Sequence, residues 1–87
     1  MLKTDRDVYR VLDSMLPPNI SREVPLMFVD AGEAECGVSN LLCEAWEMGC
    51  LTDEIKAFIR FEYEYGDPID TLDGLEELDR QKKNSAA

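Results

Sequence analysis

Three cysteines and a large excess of carboxylates are the side chains of this chain that could take part in chemistry. Cys36, Cys43 and Cys50 are spaced seven residues apart, and the sequence contains no histidine. The chain therefore lacks the commonest metal ligand, and its cysteines form no Cys-x-x-Cys pair of the kind that indicates zinc. On a helix this spacing places Cys36 and Cys43 on one stripe, where cysteine usually packs as a small hydrophobic residue. We therefore predict no metal site and no cofactor.

Pairs of carboxylates could act as acid and base, but their positions favour other roles. Glu44 and Glu47 are expected on one face of a helix, and Asp53 and Glu54 in the first turn of the next, where carboxylates stabilise the positive end of the helix dipole. With no histidine and no glycine-rich phosphate-binding loop, the usual catalytic arrangements are missing. We expect that the protein is not an enzyme.

The acidity of the chain is concentrated in its middle. The segment from Glu23 to Ile55 contains eight carboxylates and no lysine or arginine, within a chain of formal net charge −10. Such a field repels nucleic acid and anionic membranes and attracts positively charged proteins, although acidity also serves solubility alone. We expect a basic protein partner in a 1:1 complex, and no direct contact with nucleic acid or membrane.

The spacing of apolar residues predicts an all-α fold, a compact bundle of four to five short helices. The first helix is expected after the capping residue Thr4 and before Pro17, because its apolar residues recur every three or four positions. The apolar run 26–29 is too short to distinguish a helix from a strand. We favour a short helix there, with Pro25 in its first turn and Gly32 near its end.

Three further helices are predicted in the rest of the chain. One runs from Glu33 to Met48 and ends at Gly49, the next runs from the cap Thr52 to Tyr65, and the last begins near Asp67. On a helical wheel of the first of these, the apolar face is formed by Val38, Leu41, Leu42, Ala45 and Met48. The acidic stripe opposite consists of Glu33, Asn40, Glu44 and Glu47.

We expect residues 1–80 to form a single helical domain and residues 81–87 a disordered C-terminal tail. The first residues lack the apolar segment of a secretory signal, and no apolar run reaches the roughly 18 residues that a membrane span needs. A cytoplasmic location is the expectation that follows.

Two residues have positions that the sequence leaves open. Glu62 falls within the apolar arc of the fourth predicted helix, so its carboxylate must reach solvent, find a basic neighbour or lie in a groove. Trp46 lies at the edge of the acidic stripe, where it belongs either to the core or to an interface.

A motif of short elements extends over about 30 residues, from Val29 to Ile59. Its elements are Asp30-Ala31-Gly32-Glu33, Gly37, Leu41-Leu42, Trp46-Glu47, and Leu51-Thr52 followed by Glu54. This pattern resembles the central segment of small Maf-type immunity proteins and of some immunity proteins from contact-dependent inhibition systems. The resemblance implies a cytosolic antidote that binds a cognate toxin domain. Toxins of this class are frequently ribonucleases, including the EndoU type, which have a basic RNA-binding cleft.

The sequence thus predicts an immunity protein that covers the basic cleft of a bacterial toxin with its acidic surface. The alternatives are an acidic DNA mimic from a phage or mobile element, and a helical adaptor that docks through the apolar arc 55–65. The residues predicted to contact the partner are Glu33, Asn40, Glu44, Glu47, Asp53, Glu54 and Glu62.

Overall fold

The computed structural model describes residues 2–85, and these form five α-helices and no strand. The helices are α1 (Asp5–Ser14), α2 (Glu23–Asp30), α3 (Ala34–Glu47), α4 (Asp53–Glu62) and α5 (Asp67–Ser85). They pack into one compact bundle, which confirms the predicted all-α class. Within the described range, no helix combines the length and the apolar character needed to cross a membrane.

α3 is the central helix of the bundle, since α1, α2 and α5 all pack against it. Its inward face consists of Val38, Leu41, Leu42 and Ala45, each with no exposed surface. These are four of the five residues that the sequence assigns to this face, and the fifth, Met48, lies beyond the helix end and is 51% exposed. Full burial of each large aliphatic side chain contributes about 1.5–3 kcal/mol.

Local hydrogen bonds fix the ends of several helices where the sequence predicts them. Thr4 Oγ1 accepts a hydrogen bond from the Asp7 amide at 3.1 Å, and Thr52 Oγ1 accepts one from the Ile55 amide at 3.2 Å. Gly49 has a φ of 71°, the left-handed conformation that lets the chain leave α3. The apolar run 26–29 lies within α2, so it is part of a short helix, as favoured from the sequence. Pro25 is buried in the first turn of that helix.

α4 ends three residues earlier than predicted, at Glu62, because Tyr63 adopts an extended conformation. The Tyr63 hydroxyl then donates a hydrogen bond to Asp5 Oδ1 at 2.6 Å, which ties the end of α4 to the start of α1. Burial, together with this bond, raises the pKa of the Tyr63 hydroxyl. A contact between residues 58 positions apart gives no signal in local periodicity.

α5 is longer than predicted and continues to Ser85, so residues 81–85 are helical although the sequence suggests a disordered tail from 81 onward. Two lysines, Lys82 and Lys83, lie in its last turn, where cations interact favourably with the helix dipole. Residues 86–87 of the predicted tail lie outside the described residues.

Candidate functional site

The outward surface of α3 carries the acidic stripe predicted from the sequence. We define the acidic face of α3 as Glu33, Cys36, Asn40, Cys43, Glu44 and Glu47, whose side chains are half-buried or exposed. At 100° per residue, these positions lie opposite the buried aliphatic face of the same helix. The structure therefore brings four of the seven predicted contact residues together on one rigid element.

Glu44 and Glu47 are the two carboxylates of this face that lie at the C-terminal end of the helix. Both lie in the last turn of α3, where the negative end of the helix dipole disfavours them. Among the described residues, neither of them forms an ion pair. Their field acts on Cys43, since burial and then the charges of Glu47 and Glu44 raise the pKa of its thiol.

The other two polar residues of the acidic face differ in how firmly they are held. Asn40 is half-buried, and its Nδ2 donates a hydrogen bond to the Cys36 carbonyl at 2.9 Å. Glu33 occupies the N-cap position of α3, but its exposed side chain makes no capping hydrogen bond. Asn40 is therefore fixed by its own helix, whereas the Glu33 carboxylate is free to turn towards a partner.

Asp53 and Glu54 lie in the first turn of α4 and are both exposed. Asp53 Oδ1 is 4.0 Å from Lys56 Nζ, a long surface ion pair of the kind that contributes little to stability. Their position agrees with the predicted role at a helix start. They stand on a different helix from the acidic face, and in the described structure no hydrogen bond or ion pair joins the two groups.

Glu62 lies at the end of α4, outside the core. Its Oε1 accepts a hydrogen bond from the Leu2 amide at 2.8 Å, and its side chain is half-buried. Of the three environments that the sequence leaves open for it, the structure combines two, because the side chain is partly open to solvent and also lines a groove. The carboxylate lines an open cavity of about 440 Å³ together with Glu35, Tyr63, Glu64 and Tyr65. We call this group the tyrosine–carboxylate cavity.

Sequence reasoning missed Glu35 and Glu64 as neighbours of Glu62. Glu35 belongs to α3, and its Oε1 accepts a hydrogen bond from the Asp67 amide at 3.2 Å, which joins α3 to the start of α5. Tyr65, which the sequence assigns to the apolar arc of α4, is 83% exposed at this cavity. No pattern in the sequence indicates this cavity, because its two halves are about 30 residues apart.

Trp46 packs within the molecule. Its ring is half-buried against the core, and its Nε1 donates a hydrogen bond to Asp79 Oδ1 at 2.9 Å. Lys82 Nζ lies 4.5 Å from the centroid of the ring in a cation–π contact. Trp46 also shares an open cavity with Glu47 and Lys82, so α5 brings a cation to a region that contains none in sequence.

The apolar arc of α4, which an adaptor would use for docking, is largely taken up by the bundle itself. Ile55 and Ile59 are buried in the core, with exposures of 1% and 0%. Phe61 and Tyr65 remain exposed, at 65% and 83%. The apolar surface of this arc that is open to a partner therefore consists mainly of these two aromatic side chains.

The thiols of Cys36 and Cys43 lie in surroundings that disfavour the thiolate. The Cys36 thiol is 3.7 Å from Asp67 Oδ2, and desolvation followed by the charge of Asp67 raises its pKa. Burial and then the charges of Glu47 and Glu44 raise the pKa of the Cys43 thiol as well. A reactive cysteine needs a cationic neighbour that lowers its pKa, and these two thiols have the opposite surroundings.

We expect Cys36 and Cys43 to react with iodoacetamide at pH 7.5 at least about tenfold more slowly in the folded protein than in roughly 8 M urea, because a raised pKa leaves less thiolate. Peptide mapping by mass spectrometry over time gives the rate at each cysteine. Equal rates in the two conditions would show that the carboxylates and the fold do not control these thiols.

Within the described range, no cluster of three or more cysteine, aspartate or glutamate side chains is arranged to hold a metal ion. Comparison with protein-family models, curated proteins and solved structures found no match to this chain.

Proposed function

We propose that the protein is an immunity protein that binds a basic toxin domain and neutralises it, the toxin being a bacterial ribonuclease of the polymorphic or contact-dependent inhibition class. The observation that carries the proposal is the pair Glu44 and Glu47. Both carboxylates point outward at the unfavourable end of α3, and among the described residues they have no ion-pair partner. The resemblance of residues 29–59 to Maf-type immunity proteins supports the same conclusion.

The proposed mechanism is occupation of the RNA-binding cleft. A ribonuclease binds phosphates with lysine and arginine, so a row of carboxylates on a rigid helix offers the same side chains a competing set of acceptors. α3 suits this role because three packed helices hold its inward face in place. The preformed face loses little conformational entropy on binding, and the charge of the chain accelerates encounter with a basic protein.

The tyrosine–carboxylate cavity offers a second contact for the same partner. Glu62 and Glu64 supply negative charge, and the exposed ring of Tyr65 supplies an aromatic face. An arginine or lysine side chain is the group that such a cavity accommodates best, through carboxylate and cation–π contacts together. In this proposal the protein acts in the cytoplasm as a stoichiometric inhibitor, without metal, cofactor or catalysis of its own.

The test is coexpression with the product of the gene directly upstream, since an immunity gene follows its toxin gene. We expect a 1:1 complex by size-exclusion chromatography with light scattering. RNA cleavage by the purified toxin domain should stop at one equivalent of the protein. Because the encounter is electrostatic, the association rate should fall by about tenfold or more between roughly 50 and 500 mM salt.

Absence of a complex with the upstream product would contradict the immunity proposal. The DNA-mimic alternative gives a different result, namely that the protein inhibits a DNA-binding enzyme and competes with duplex DNA while RNA cleavage by the upstream product continues. Inhibition that does not depend on salt would agree with a complex but would contradict electrostatic binding through the acidic face.

A further inference from the structure

A cleft between α1 and α2 has the opposite character to the acidic face of α3. It has a volume of about 360 Å³ and is lined by Arg6, Tyr9, Arg10, Asp13, Leu26 and Val29. The two arginines lie one helical turn apart on α1, so both guanidinium groups reach the same side of the helix. In a protein of net charge −10, this cleft brings two arginines together, with Asp7 and Asp13 beside them.

The charges of the cleft are not balanced within it. Its carboxylate, Asp13, is already neutralised by Arg22, whose Nε donates to Asp13 Oδ1 at 2.7 Å. Arg10 is 3.7 Å from Asp7 and its side chain is 80% exposed, so that ion pair is weak. Arg6 makes one long hydrogen bond, from Nη2 to the Val29 carbonyl at 3.4 Å. Both arginines therefore retain donors for an outside anion.

Tyr9 provides an independent sign of a missing partner. The residue is only 6% exposed, and its buried hydroxyl makes no hydrogen bond within the described structure. Burial and the charges of Asp13 and Asp30 raise the pKa of this hydroxyl, against a smaller lowering by Arg22, so it stays protonated and remains a donor. Buried polar groups normally have a partner, and an acceptor placed in the cleft is one group that would satisfy the O–H of Tyr9.

The surface beside the cleft is apolar. α2 exposes Val24 and Leu26 at 42% each and Met27 at 65%, on a helix of only eight residues. Leu26 belongs both to this surface and to the lining of the cleft. An exposed apolar surface continuous with a charged cleft is typical of a protein interface rather than of a surface built for solubility.

We propose that this cleft receives an acidic side chain from an apolar segment of a protein partner. The carboxylate lies between Arg6 and Arg10 and supplies the acceptor that the Tyr9 hydroxyl lacks, while the apolar neighbours of the acidic residue cover Leu26 and Met27. The surface is distinct from the acidic face of α3. It would bind an acidic peptide, whereas the proposed function requires a basic partner at the other face.

The probe is the peptide N-acetyl-Leu-Glu-Leu-amide, titrated into the ¹⁵N-labelled protein and followed by NMR. We expect saturable shifts of the backbone amides of Tyr9, Leu26 and Val29 at millimolar peptide, because one charge-assisted contact in an open cleft binds weakly. The isosteric peptide N-acetyl-Leu-Gln-Leu-amide, which lacks the charge, should bind about tenfold more weakly.

The double variant Arg6→Gln/Arg10→Gln should weaken binding of the glutamate peptide by about tenfold or more. Its matched control is Arg80→Gln/Lys83→Gln, which changes the net charge equally at exposed positions of α5. The affinity of that control for the glutamate peptide should lie within about twofold of the affinity of the original protein, and the small difference is the effect of net charge.

Tyr9→Phe separates a binding role from a purely structural one. Removing an unsatisfied buried hydroxyl should raise the urea midpoint, and it should also weaken peptide binding by about fivefold if the hydroxyl contacts the carboxylate. A higher midpoint with unchanged binding would overturn the assignment of Tyr9. Equal binding of the two peptides, or no loss in the double arginine variant, would overturn the proposed cleft, and so would a titration without saturation at about 10 mM.

Discussion

Replacing Gly37 with alanine should lower the free energy of unfolding by about 2–3 kcal/mol, although alanine is the better helix former. An added Cβ at this position would lie 2.7 Å from Val29 Cγ2 and 3.0 Å from the carbonyl oxygen of Pro25. The second of these atoms belongs to the backbone of α2, so the clash can be relieved only if α2 moves away from α3. Urea unfolding followed by circular dichroism measures the change.

Gly74 provides the matched control, because it is also a glycine within a helix. It lies in α5, and an added Cβ would meet no atom within 4 Å. Gly74→Ala should therefore stabilise the protein by about 0.5–1 kcal/mol, from helix propensity alone. The two substitutions are chemically identical and should have opposite signs. If Gly37→Ala stabilises as well, the close approach of α2 to α3 is not present in solution.

The close approach explains Gly37 in a way that the sequence does not. In the sequence, Gly37 is one element of the motif that resembles immunity proteins. Helix propensity alone indicates only that glycine destabilises the helix at this position. In the structure it is the point at which the short helix α2 rests on α3, beside Val29 and Pro25. The spacing of apolar residues shows which face is buried, but it does not show how closely another helix approaches.

Features decided by neighbouring residues were predictable from the sequence. The caps Thr4 and Thr52 act on amides three positions ahead, and Gly49 ends α3 through its own backbone conformation. The acidic face of α3 was predictable for the same reason, because all of its residues belong to one helix and the helical period determines which of them share a side. Each of these signals lies within a few residues of its effect.

Features decided by contacts between distant residues were not predictable. Tyr63, which follows the end of α4, reaches Asp5, and Lys82 of α5 lies over the ring of Trp46. The tyrosine–carboxylate cavity likewise combines Glu35 of α3 with residues that follow α4. In each case the partners are more than 25 residues apart, and their pairing depends on how the helices are arranged in the bundle.

The double charge reversal Glu44→Lys/Glu47→Lys should weaken binding of the proposed toxin domain by about 100-fold or more, because two attractive contacts become repulsive. The same change should leave the fold intact. Lysines in the last turn of α3 suit the negative end of the helix dipole, and this offsets the repulsion from Lys82 in the cavity it shares with position 47, so the stability of the free protein should change by less than about 1 kcal/mol. Surface plasmon resonance with the toxin domain and thermal unfolding of the free protein measure the two effects.

Retained stability together with lost binding makes the experiment decisive, since a misfolded variant would lose both. Glu23→Lys/Asp70→Lys supplies the control for net charge. Both of these carboxylates are exposed and form no ion pair within the described part of the chain. They lie in the first turns of α2 and α5, where lysine is disfavoured by the helix dipole, so the thermal unfolding of the control is measured as well. The control alters long-range steering by the same four charges, so it should slow association and leave dissociation unchanged. A reversal at Glu44 and Glu47 that slows association no more than this control, and does not speed dissociation, would mean that the acidic face of α3 attracts the toxin without contacting it.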